Sequence, residues 1–264
     1  SAAFEVLLGT ILNHLFNDGK VSDVEIAQIA QAAENKFFGK PCGLLDQMTS
    51  SVGSFVEIDF ADPANPVIEK LDFDFASCGY ALCIVDTGGS HSDLTDEYAA
   101  VRKEMESVAE YLGKSVLREV DEDEFMKNIA DIRSSCGDRA VLRAMHFYGD
   151  NARVEKQAAA LKAGDFETFK KYIIESGRSS YMYNQNVYSC KKASEQPVSL
   201  ALSLSEKLLD GCGAWRVHGG GFAGTIQAFV PLNKLDEYKD LMEKVFGSGS
   251  CYILSVRPVG GVEL

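Results

Sequence analysis

The chain is poor in the residues that usually mark a metal or redox centre. It has four histidines and seven cysteines among 264 residues, and no two cysteines form a CxxC pair. That leaves out the common zinc spacings, and an odd set of scattered thiols leaves out a disulfide framework. Reduced thiols in a cytoplasmic protein are the expectation. No GxxxxGK[ST] stretch occurs, which excludes a P-loop, and no GxGxxG opens a helix, which excludes the dinucleotide fingerprint. Basic residues are outnumbered, 26 Lys and Arg against 39 Asp and Glu, for a formal net charge of -13. This balance argues against a nucleic-acid or anionic-membrane partner, because both require clustered cations. Arg102-Lys103, Lys170-Lys171 and Lys191-Lys192 are too short to make such a patch and read as solvated helix faces. No apolar run reaches membrane-spanning length, and there is neither an internal repeat nor a low-complexity linker. What remains is ordinary: 46% apolar and 25% charged residues, a soluble globular composition long enough for two lobes.

Apolar periodicity predicts a helix over residues 1–17, with Phe4, Leu7, Leu8, Ile11, Leu12, Leu15 and Phe16 on a wide buried face. Ser22-Asp23-Val24-Glu25 is a capping-box pattern opening a second helix that runs to about Phe37. A short third helix is expected after Asp46, ending near Gly53, followed by a hairpin of residues 55–59 and 67–73. A buried strand is expected at residues 80–85. Mostly helical pattern follows, at 93–112, 122–132, 138–163, 165–176 and 194–209. Strands return at 225–230 and 251–256 around a helix at 233–246. Strands split around helices indicate α+β layering, with the lobe boundary near Phe75-Ala76-Ser77: residues 1–76 and 77–264.

Five elements could carry chemistry. Asp46 stands alone in the Gly/Pro-braced stretch Gly39-Lys40-Pro41-Cys42-Gly43-Leu44-Leu45-Asp46-Gln47. A carboxylate there is either a functional acid or a helix cap, and its position after two leucines favours the first. His218-Gly219-Gly220-Gly221-Phe222-Ala223-Gly224 precedes an apolar strand. Clustered glycines can line an anion pocket with amides, or simply make a flexible turn. Ser1-Ala2-Ala3 at a helix start could meet phosphate oxygens, or be no more than a good start. Glu34 near a helix C-terminus opposes the macrodipole. Tyr98 opens a long helix and could equally be core.

The order of these elements resembles the GHMP small-molecule kinases and, within them, the galactokinase branch. Ser1-Ala2-Ala3 looks like the tail of the GLSSSAA phosphate motif, and Ala33-Glu34 through Phe38-Gly39 to Asp46-Gln47 is similar to a pattern ending PCGIMDQ. Ser90-His91-Ser92 with Glu97-Tyr98 and Arg102 resembles the branch's HSL and SEY stretch, and Gly219 to Gly224 its GGGFGG. The resemblance implies the rest of a GHMP N-terminal lobe followed by a C-terminal α+β lobe with a ferredoxin-like core. It implies ATP-dependent phosphoryl transfer to the anomeric hydroxyl of galactose or a related sugar. In that scheme Asp46 is base or orienter, Tyr98 binds the sugar, Ser1 and Glu34 hold Mg²⁺, and Ser1 with Gly219, Gly220 and Gly221 meets ATP.

Departures from the pattern stand beside it. Ala223 replaces a family glycine, Trp215 and His218 are unlike their family counterparts, and residues 213–218 run one residue long. The sugar-gripping signature GRVNLIGEHTDYNGG is missing. The expectation is an N-terminally truncated chain, inactive alone, kept soluble by self-association or by the missing segment. A non-catalytic sugar and ATP sensor, and a GHMP kinase for another sugar, are the alternatives.

Overall fold

The capping box at Ser22 forms as its sequence pattern requires: Ser22 Oγ accepts from the Glu25 N–H at 3.3 Å while Glu25 Oε2 accepts from the Ser22 N–H at 2.9 Å. In the computed structural model, which describes residues 2–39, 42–62, 64–89 and 94–263, that helix belongs to the first of two units. The first comprises residues 1–73 and 256–264, the second residues 74–255.

In the first unit α1 (Ala2–Asn17) and α2 (Asp23–Ala32) are followed by a π-helical turn, Ala33–Phe38, then α3 (Leu45–Val52) and the antiparallel hairpin β1 (Phe55–Asp59) and β2 (Val67–Leu71). Ala27, Leu44, Met48 and Val52 form one small core against Val56, Ile58 and Ile68 of the hairpin; Val6, Ile26 and Ala30 form another. The expected buried face of α1 is reversed. Its buried residues are Val6, Thr10 and Asn13, and all seven of the large apolar residues named for that face are exposed. Asn13 explains the choice, because its amide both donates to the Val21 carbonyl and accepts from the Val21 N–H, at 2.9 and 3.0 Å. Periodicity announces that a face will be covered without saying by what, and no described residue of this unit covers it. The C-terminal segment returns to the end of α3, where the Ser54 N–H donates to the Arg257 carbonyl at 2.7 Å. Gly260 is needed there, since a Cβ would lie 1.6 Å from the Ser51 carbonyl oxygen.

The second unit runs β3 (Tyr80–Asp86), α4 (Thr95–Tyr111), α5 (Glu122–Lys127), α6 (Ile129–Cys136), α7 (Asp138–Lys162), α8 (Phe166–Ser179), α9 (Pro197–Leu209), β4 (Ala214–Val217), β5 (Thr225–Pro231), α10 (Leu235–Phe246) and β6 (Cys251–Leu254). Its sheet has the order β4-β5-β3-β6 with antiparallel neighbours, and two of its connections carry helices, the ferredoxin-like arrangement. Alternation buries Ala81, Cys83 and Val85 of β3 against Val198, Ala201 and Leu209 of α9 and Tyr238 and Met242 of α10. Val108 and Ala109 of α4 meet Phe125, Ile132, Val141 and Ala144 in a separate helical core. The expected helix 122–132 is two helices. Asn128 breaks it by donating its side-chain amide to the Glu124 carbonyl at 2.8 Å. Strand β4 was not expected; Trp215 points from it into the sheet's core and registers against Ala228. No described helix is long and apolar enough to cross a membrane.

Candidate functional site

Asp46 is the second residue of α3, inside its first turn, and is exposed. The helix begins at Leu45, ahead of the position expected for it, so the carboxylate sits at the positive end of the helix dipole. The turn before it is pinned from α2 and the π-helical turn. Asn35 accepts from the Cys42 N–H at 2.8 Å and donates to the Cys42 carbonyl at 3.3 Å, and Gln31 donates to the same carbonyl at 3.2 Å. Gln47 is buried and donates to Cys42 Sγ at 3.5 Å, while Met48 anchors the helix in the core. An exposed acid on a backbone held at both ends is the geometry a base needs: accessible, yet fixed in direction.

Glu34 lies in the π-helical turn instead of the last turn of α2, and only 4% of it is exposed. It lines a groove of about 690 Å³ with a second carboxylate, Glu5, and the apolar Phe4, Leu8, Leu12, Ile29 and Phe38. No group of three or more His, Cys, Asp or Glu that could hold a metal occurs among the described residues. Mg²⁺ characteristically takes one or two carboxylates and completes its shell with waters and nucleotide phosphates. A single hard oxygen donor such as Glu34 fits that habit. Ser1, the second expected ligand and an expected ATP contact, lies outside the described residues, as do Ser90, His91 and Ser92.

The glycine loop belongs to the second unit. Gly219 and Gly220 are exposed, whereas Gly221 to Gly224 are buried, and φ is positive at Gly219, Gly221, Phe222 and Gly224. Tyr98 braces it. Its hydroxyl donates to the Gly221 carbonyl at 2.8 Å, and its ring meets Phe222 edge-on at 5.3 Å. A Cβ on Gly220 would lie 2.8 Å from the Tyr98 ring, so the loop can press this closely only with glycine. Burial pushes the Tyr98 phenol up from its usual range, which keeps it a protonated donor. Ala223 is accommodated by Gly89, whose own Cβ would come within 2.9 Å of the Ala223 methyl. His218 is exposed, its Nδ1 3.1 Å from Gln227 Oε1. A hollow of about 600 Å³ adjoins the loop, lined by Gly88, Gly89, Ser189, Lys191, Phe222 and Ala223 among others.

Sequence reasoning missed three residues here. Gln31 and Asn35 fix the turn before Asp46, and Asn186 fixes the glycine loop. The polar run Asn184-Gln185-Asn186 was the available signal for the last, since such residues favour turns and Gln185 is left-handed with φ 55°.

The family described as "GHMP kinases N terminal domain" matches residues 1–54. A galactokinase from Actinobacillus pleuropneumoniae is 29% identical over 242 residues, covering 92% of this chain and 60% of that protein. The galactokinase of Homo sapiens is 31% identical over 264 residues, covering 100% of this chain and 64% of that protein. Among solved structures, Lactococcus lactis galactokinase complexed with galactose superposes with a TM-score of 0.76 at 23% identity, over 100% of this chain and 66% of that one. The L. major mevalonate kinase complex with R-mevalonate gives 0.60 at 13% identity, over 98% and 65%. The chain thus spans about three fifths of the length of the curated relatives it matches. With a ferredoxin-like second unit, a family match at its start and galactokinases similar along nearly its whole length, the chain is a galactokinase-related member of the GHMP kinases.

Proposed function

We propose that this chain carries the base and glycine-loop side of an ATP-dependent kinase that phosphorylates the anomeric hydroxyl of galactose or a related sugar. The observation that carries it is the exposed Asp46 carboxylate in the first turn of α3, just after a turn bonded at both backbone polar atoms of Cys42. A sugar hydroxyl attacks poorly until its proton has an acceptor within hydrogen-bond reach, and Asp46 is that acceptor. Glu34 would hold Mg²⁺ together with Ser1. The ion, when bound, neutralises charge between the nucleotide phosphates. Gly219, Gly220 and Gly221 offer amides to the triphosphate, Tyr98 fixes the Gly221 carbonyl, and the Tyr98 hydroxyl also meets the sugar. By itself the chain is expected to be inactive, because nothing in it resembles the sugar-gripping GEHTDY stretch. A cytoplasmic location accords with this function.

The test is a coupled ATP-consumption assay with galactose on two proteins: this chain, and a fusion placing the N-terminal segment of a galactokinase ahead of Ser1. The fusion should turn over, and Asp46→Asn should lower its rate by about 10²–10⁴. Ordinary turnover by the unfused chain would overturn its inactivity. An Asp46→Asn fusion at the native rate would remove the base. A fusion that binds ATP and galactose yet makes no sugar phosphate would favour the sensor.

A further inference from the structure

Asn186 stands two residues past a second π-helical turn, Ser180–Asn184, and makes two bonds to the glycine loop. Its main-chain carbonyl accepts from the Phe222 N–H at 2.5 Å, and its side-chain Nδ2 donates to the Gly220 carbonyl at 3.2 Å. It is 5% exposed, and the loop lies so close that a Cβ on Gly221 would fall 1.8 Å from the Asn186 carbonyl oxygen. Three residues on, Ser189 Oγ donates to the buried Glu97 at 2.7 Å, tying the same strut to the first turn of α4 beside Tyr98. The strut therefore holds the loop from one side and the start of α4 from the other.

The two bonds do different things. The main-chain bond forms whatever the side chain is. The side-chain bond reaches the peptide between Gly220 and Gly221, which is flanked by two residues free to adopt almost any φ and ψ. In a planar trans peptide the carbonyl and the following N–H point in opposite directions. Fixing the Gly220 carbonyl on Asn186 therefore fixes the opposite heading of the Gly221 N–H. Without that bond the glycine–glycine peptide is free to turn over, exchanging a donor for an acceptor on its outer side.

We infer that Asn186 is a positioning residue that locks the Gly220–Gly221 peptide with its N–H presented to an anionic ligand. The inference deepens the proposed function and rests on it for the ligand, a nucleotide phosphate, but the lock itself can be tested without any ligand.

Amide exchange by NMR on the chain as it stands provides that test, with Asn186→Ala and Asn186→Asp. Aspartate keeps the shape but replaces the donor with an acceptor facing the Gly220 carbonyl. Exchange at Phe222, whose N–H is held by the Asn186 carbonyl, should quicken by roughly two- to tenfold as the unlocked peptide next to it opens more often, with β5 unchanged. Native exchange at Phe222 in both variants would overturn the lock. Should the Asp variant not fold, the Ala variant decides, since it buries no charge. In the fused kinase, Asn186→Ala should raise KM for ATP several-fold and leave KM for the sugar unchanged. Equal changes in both would reduce Asn186 to a structural role. A native fusion without ATP turnover would sink the kinase proposal, while the exchange result would still decide the lock.

Discussion

Replacing Gly221 by alanine separates backbone strain from steric contact in the glycine loop. Two effects act at this position. Its φ of +79° is one that alanine adopts at a cost of about 1–2 kcal/mol. In addition, the new Cβ would fall 1.8 Å from the Asn186 carbonyl oxygen, which is backbone and already accepts from the Phe222 N–H. Relief requires the loop to move off Asn186 and give up that bond, about 1 kcal/mol more. Gly221→Ala should thus cost about 2–3 kcal/mol, which for a domain of this size lowers Tm by about 4–12 °C. Gly219→Ala is the control. Its φ is +67°, but nothing lies within 4 Å of its Cβ, so only the first effect remains, about 2–8 °C. Thermal melts of both variants under one set of conditions give the difference. If the two melted within a degree of each other, Asn186 would not be pressing on the loop.

Acid should weaken the second unit through His146. Burial holds this imidazole below its usual range, outweighing the attraction of Asp150, while Arg216 and Arg153 push the same way as burial; its Nδ1 lies 2.9 Å from Ser179 Oγ. The unfolded chain then binds the proton first. The contribution is present above about pH 6.5 and is lost as pH falls from there through the depressed folded value. Melts at pH 7.5 and 5.5 should differ more for the native chain than for His146→Gln, and equal differences would refute the assignment. The open face of α1 and α2 should drive self-association of the isolated chain, since Phe4, Leu8, Leu12, Ile29 and Phe38 line an apolar groove. Light scattering should show a mass rising with concentration, reduced by Leu8→Glu with Ile29→Glu; a monomer at every concentration would be the contrary result.

Local signals were legible because they depend on neighbours in sequence. The Ser22 capping box, the stop at Gly53, the hairpin and strands β3, β5 and β6 follow from residues within a few positions, as does the family resemblance centred on Asp46. The glycines at 219 to 221 could be seen, though not the reason that positions 220 and 221 require glycine. That reason is the approach of Tyr98 and Asn186, over a hundred and about thirty-five positions away along the chain respectively.

The sequence by itself determined the α+β class, most of the helices, and which residue types were available for chemistry, because propensity, capping and periodicity act locally. Tertiary structure decided the rest. It made β4 a strand by pairing it with β5, turned the oily side of α1 outward because Asn13 has its partner at Val21, and returned residues 256–264 to the first unit. It also turned Asn186 from one polar residue among several into a lock on a glycine–glycine peptide. Such contacts depend on which surfaces meet in space, and no spacing along the chain encodes that directly.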